Sequence, residues 1–98
     1  ITKLDKRLGQ HDFIIGIIVS GIPKAYPLAR LVEQGTIKDR VAGVSVILLY
    51  DKKADRVKAF AGKGQGSNED ITQLEPIPVV RQWWLAWSEY HPGSDIFE

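Results

Sequence analysis

The side chains able to do chemistry are few, and their spacing is poor for it. The two histidines, His11 and His91, stand 80 positions apart with no HExxH or paired-histidine spacing. A metal site would need carboxylates delivered by the fold. None of the five serines, Ser20, Ser45, Ser67, Ser88 and Ser94, lies in a GxSxG elbow. The run Gly62-Lys63-Gly64-Gln65-Gly66-Ser67 invites a phosphate-loop reading and fails it. The Walker pattern needs Ser or Thr directly after a lysine that opens a helix, whereas Asn68-Glu69-Asp70 follow here. Residues 62–70 read as a polar, glycine-rich connector. Asp51 and Asp55 bracket a charged turn, an ordinary use of aspartate. Without cysteine, disulfides, thiolate catalysis and cysteine metal ligands are excluded. What remains is recognition by aromatic surface. Tyr26, Trp83, Trp84 and His91 are the candidate contact residues, because such rings combine a large apolar face with a polar tip.

The elements that must position these rings start with residues 74–93, which hold all three tryptophans. Val80, Trp83, Trp84, Trp87, Tyr90 and His91 recur at spacings of three and four, which predicts one amphipathic helix. Pro78 suits its first turn, and His91-Pro92-Gly93 suits its end. Two adjacent tryptophans cannot both point into one core. Either Trp83 or Trp84 is therefore expected at an edge, as a binding platform.

Earlier in the chain, residues 1–12 read as an N-terminal arm, followed by a domain over 13–98. Residues 13–20 are a β-branched run and predict a buried strand. A turn at Ser20-Gly21-Ile22-Pro23 leads back through Lys24-Ala25-Tyr26 as a hairpin. Pro27 opens a short helix with Leu28, Leu31 and Val32 as its apolar stripe, capped at Gly35. Residues 36–41 alternate, with Ile37, Asp39 and Val41 on one side and Lys38 and Arg40 on the other. Asp39 reads as part of a charged cluster or a solvated strand face. Ala42-Gly43 predicts a tight turn with Gly43 at positive φ. Residues 44–50 are apolar on both faces and predict a central strand, with 57–61 returning beside it. A short strand is expected at 71–74, and an edge strand or a frayed end at 95–98. The sum is α+β: five to six strands in a mostly antiparallel, barrel-like sheet, one short helix and a C-terminal tryptophan-rich helix.

Composition narrows the class. The chain has 98 residues, 13 basic and 12 acidic, for a net charge of +1. No basic run tracks a phosphate backbone, so nucleic-acid binding is not expected. The longest apolar run, residues 13–19, is too short to cross a bilayer. The chain begins at Ile1 and has no methionine, as expected of a processed or trimmed form.

Three segments together carry a family resemblance: residues 16–28, GIIVSGIPKAYPL; residues 38–46, KDRVAGVSV; and LLYD at 48–51, LEPIP at 74–78 and WLAWSEYHP at 84–92. In this order they resemble the domain of unknown function 3179 family, over about residues 13–96. The resemblance implies this fold and export to the periplasm or the extracellular space, since members mostly carry export signals. It implies no activity. Typical members are longer and carry a Cys-Pro-x-Cys-Gly segment, which this chain lacks, so no role resting on those cysteines operates here. The leading expectation is a non-catalytic extracytoplasmic binding or assembly module with a protein partner, no cofactor and no transmembrane segment. A second is an accessory to a c-type cytochrome assembly, with haem supplied only by the partner and a histidine offered in trans. A third is a small hydrolase-like enzyme using Tyr50, Asp51 or His91.

Overall fold

The structure is a computed structural model and describes residues 8–63 and 74–98. Most of the glycine-rich connector, and residues 71–73 of the strand expected before the last helix, lie outside the described residues.

Two hairpins organise the fold. In the first, β1 (Phe13–Val19) pairs antiparallel with β2 (Ile22–Pro27), Val19 opposite Ile22. Ser20 and Gly21 between them have φ of 51° and 78°, the pair of positive values that matches a two-residue loop to strand twist. Helix α1 (Leu28–Gln34) follows Pro27 and ends at Gly35, whose φ of 75° and N–H to the Leu31 carbonyl make a glycine cap. In the second hairpin, β3 (Thr36–Val41) and β4 (Val44–Asp51) turn at Ala42-Gly43, again at positive φ. Strand β5 (Arg56–Ala61) returns beside β4. Strand β4 has a partner on each side, as its two-sided apolar sequence requires. Short β6 (Glu75–Ile77) adds at the edge of β5, where Pro76 removes no interior ladder bond.

The last third departs from the single helix expected over residues 78–91. Val80–Trp83 is a strand, β7, antiparallel to β1. Only Trp84–Tyr90 is helical, as α2. Asp95–Ile96 forms β8, parallel to β2. Among the described residues the strands make two four-stranded sheets, ordered β7-β1-β2-β8 and β3-β4-β5-β6. They form no closed barrel, because among the described residues no strand of one sheet pairs with a strand of the other. The α+β class stands, with a mostly antiparallel arrangement.

The main core lies between the sheets. Ile15, Ile17 and Tyr26 from the first pack with Ile37, Val46 and Leu48 from the second, and Leu31 of α1 completes the cluster. A second, smaller core lies on the far face of the first sheet, where Trp84 and Trp87 of α2 cover Ile14, Ala25 and Ile96. Trp84 and Trp87 are 4% and 2% exposed. Truncating a buried indole typically costs ~3–5 kcal/mol, so this short helix anchors its sheet.

Candidate functional site

The four candidate contact residues do not form one site. Tyr26 is 0% exposed, in the core between the sheets. Its phenol donates to Asp39 Oδ2 at 2.8 Å, and the same oxygen takes the Lys24 ammonium at 2.6 Å. The Tyr26 ring stacks on Phe97 with centroids 5.3 Å apart, and Lys24 Nζ lies 5.7 Å from each ring. Asp39 therefore belongs neither to a cluster with Lys38 and Arg40 nor to a solvated face. Strand alternation turns it inward with Ile37 and Val41, where it clasps β2 of one sheet to β3 of the other. Burial, with the hydrogen bond to Asp39, pushes the Tyr26 phenol far above its ordinary range. Burial acts to raise Asp39, but the bonds from Lys24 and Tyr26 outweigh it and hold the carboxyl below its usual value. An acid–base catalyst needs a pKa near working pH. Here the phenol is too weak an acid and the carboxylate too weak a base, so the cluster acts as a clasp.

The residues of the hydrolase-like reading are also dispersed. Tyr50 donates to Asp55 Oδ1 at 2.8 Å, and Arg81 reaches the same oxygen at 3.3 Å. Asp51 accepts the backbone N–H of Lys53 and Ala54, as a turn aspartate does. The bond between Tyr50 and Asp55 raises the phenol and lowers the carboxyl, again away from proton transfer near neutrality. His91 lies elsewhere, its ring 4.2 Å from that of Trp87. It lines a cavity of about 200 Å³ with Ile18, Pro78 and Val80.

Trp83 and Trp84 separate because the chain changes from strand to helix between them. Trp83 is extended, with φ −68° and ψ 144°, and sits opposite Phe13 in the sheet register. Trp84 opens α2 and turns into the second core, its backbone N–H bonded to the Asp12 carbonyl at 2.8 Å. The indole at the edge is therefore Trp83, 49% exposed, while Trp84 of α2 is buried against the first sheet.

Residues that the sequence reading placed elsewhere join Trp83. His11, read as part of the arm, has its ring 4.8 Å from the indole. Phe13, read as a buried strand residue, is 45% exposed with its ring 6.2 Å away. Arg81 stands over Phe13 at 5.6 Å. Phe13 also lines a cavity of about 540 Å³ with Leu8, Asp12, Pro27, Leu28 and Val32. Val32, expected in the buried stripe of α1, is half exposed on its wall. Asp12 fixes the turn beside it by accepting the Gly9 N–H at 2.8 Å. Phe13 thus joins the exposed ring of Trp83 to a hollow of mainly apolar lining, with His11 and Asp12 beside them. Such a surface can bury an apolar or aromatic group while orienting a polar one. The signal available in the sequence was the position of Phe13 at the first residue of its strand, where pairing begins and cover is thinnest.

Among the described residues no group of three or more His, Cys, Asp or Glu could hold a metal ion, and no helix is long and apolar enough to cross a membrane. The family described as a protein of unknown function, DUF3179, matches residues 1–94. No curated protein and no solved structure matches the chain.

Proposed function

The chain belongs to the DUF3179 family of proteins of unknown function, and from that premise we propose that it is a non-catalytic extracytoplasmic binding module. Its contact surface is the ledge of Trp83 and Phe13 with the hollow they adjoin, and its partner is a protein. The observation that carries the reading is half-exposed Phe13, whose ring lies 6.2 Å from that of half-exposed Trp83 and which shares a cavity wall with half-exposed Val32. Exposed aromatic and aliphatic groups gathered in this way mark interaction sites more often than isolated ones do. The titratable clusters support the non-catalytic half, because each is tuned away from proton transfer near neutral pH. The extracytoplasmic half rests on the export signals common in the family. A role beside a c-type cytochrome would be favoured by a histidine projecting alone from the surface. Both histidines instead rest against tryptophans, so the binding-module reading takes precedence.

The test is capture from the native source with two baits, the wild-type domain and a Phe13→Ser/Trp83→Ser variant, followed by mass spectrometry and a haem stain. A partner held at stoichiometric level by the wild type and released by the variant is the expected result. Equal retention by both baits would remove this surface from the account.

A further inference from the structure

The face of the second sheet turned away from the core carries, among the described residues, a charge pattern that net composition conceals. Strand alternation sends Ile37, Val46, Leu48 and Ala59 into the core. The register then sets Lys38, Ile47 and Phe60 in one row of the opposite face and Leu49 and Lys58 in the next. Arg40 and Arg56 extend the same face along β3 and β5. Trp84 and Trp87 of α2 cover the other sheet, and Leu31 of α1 lies in the core between the sheets. Ile47 is only 5% exposed yet belongs to neither core cluster. In the register it lies between Lys38 and Phe60, and lysine is a side chain able to cover apolar surface while keeping its charged head in water.

Four cations thus share this face with one strand carboxylate, Asp51, at its end opposite Arg56. Among the described residues none of Lys38, Arg40, Arg56 and Lys58 is in an ion pair. They form two columns on β3 and β5, about 9.5 Å apart at ordinary strand spacing. The chain as a whole carries only +1, so positive charge is concentrated here.

We propose that this face docks the protein, reversibly and by charge, on an anionic lipid bilayer. Among the described residues the apolar side chains between the cations are buried or half-buried, Ile47 at 5% and Leu49 partly covered, so they offer no projecting anchor of the kind that dominates a shaped protein interface. Among its described residues it also lacks a well-exposed aromatic on which nucleic-acid bases would stack, since Phe60 is half-buried. A flat, basic sheet face with a recessed centre fits a planar, diffuse anionic surface, where each lysine or arginine adds to attraction and salt removes it. This surface is distinct from the ledge at Trp83, and the two can be tested separately.

The experiment is co-sedimentation with vesicles, either phosphatidylcholine alone or equal parts phosphatidylcholine and phosphatidylglycerol, at low and at raised salt. Two double variants lower net charge equally. Lys38→Gln/Lys58→Gln acts on the proposed face. Tyr90→Glu/Gly93→Glu acts at the end of α2, where Tyr90 is 78% exposed and a side chain at Gly93 meets nothing within 4 Å. Circular dichroism checks that both keep the wild-type fold. The expected result is wild-type binding to the anionic vesicles only, weakened by salt. The lysine variant should bind roughly 25-fold more weakly, at about fivefold for each of its two lost cations, while the control variant binds like the wild type. The proposal is overturned if the wild type ignores anionic vesicles, if both vesicle types bind equally, or if the two variants lose binding alike. It is also overturned if a single-stranded oligonucleotide is bound and the vesicles are not.

Discussion

The indole of Trp87 occupies the space that any side chain at Gly16 would need. A Cβ at Gly16 would stand 2.3 Å from Cζ3, 2.4 Å from Cη2 and 2.6 Å from Cε3 of that ring. The ring cannot easily withdraw, because its Nε1–H donates to Ser94 Oγ at 2.8 Å. Gly16→Ala should therefore destabilise the domain by about 1–3 kcal/mol, the range for overpacking a filled core. Urea unfolding reads this as a lowered midpoint. Placing Trp87→Phe in the same chain should recover part of the loss, and additive losses in the double variant would show that the two positions do not compete.

The clasp of Lys24, Asp39 and Tyr26 predicts how stability depends on pH. The folded carboxyl of Asp39 titrates below its ordinary 3.8, so its contribution is present above that value and is lost as pH falls below it. The Tyr26 phenol is raised above its ordinary 10.0, so its contribution is present below pH 10 and is lost as pH rises beyond it. Asp39→Asn should cost about 1–3 kcal/mol at neutral pH, because charge-assisted hydrogen bonds become neutral ones and Lys24 loses its counter-ion. It should also flatten the acid limb of a stability profile. An unchanged acid limb in this variant would show that other carboxylates set it.

Ala42 sits at φ 52° before Gly43 at φ 77°, in a two-residue loop whose favoured sequence is Asn-Gly. Ala42→Asn should raise stability by about 0.5–1 kcal/mol, because asparagine tolerates the left-handed region better than alanine. Thermal unfolding would show a higher midpoint. A drop would mean that this alanine is held for a contact rather than tolerated at a strained angle.

The three tryptophans should differ in their exposure to a soluble quencher. Trp84 and Trp87 are buried and Trp83 is 49% exposed, so iodide should quench one component of the emission and leave the remainder. Trp83→Ala should abolish the quenchable component and cost only about 1 kcal/mol, roughly half the value of a fully buried large apolar side chain. Persistent quenching in this variant would mean that α2 opens in solution.

Both early hairpins were legible in the sequence because glycine-bearing turns between apolar runs leave few alternatives; the turn at Ala42-Gly43 was placed as found, while the first closes in two residues, Ser20-Gly21, with Ile22 and Pro23 already in β2. The helix boundary near residue 84 was not. Trp83 and Trp87 are four apart and Trp84 and Trp87 three apart, so helical spacing extends backwards into a segment whose pairing with β1 makes it a strand. The side chosen for Asp39 was correct from alternation, but its partners Lys24 and Tyr26 lie across the gap between sheets, which local spacing cannot show. Tyr26 looked available for contact for the same reason. The basic face escaped notice because its cations are separated along the chain, two in β3 and two in β5, and meet only through strand pairing. Trp83 was legible as one of two adjacent tryptophans competing for one core. Its neighbours His11 and Phe13 were not, because β1 and β7 are distant in sequence.

The ledge at Trp83 and Phe13 is proposed as the place where this domain holds its partner. The most direct measurement places a photo-crosslinking residue at position 83 or, in a second protein, at position 90, with extract from the native source present. Tyr90 is the more exposed of the two, at 78%, and lies on α2 away from the ledge. The account predicts a discrete protein adduct from position 83 and none from position 90. Adducts from position 90 alone, or the same adducts from both positions, would contradict it.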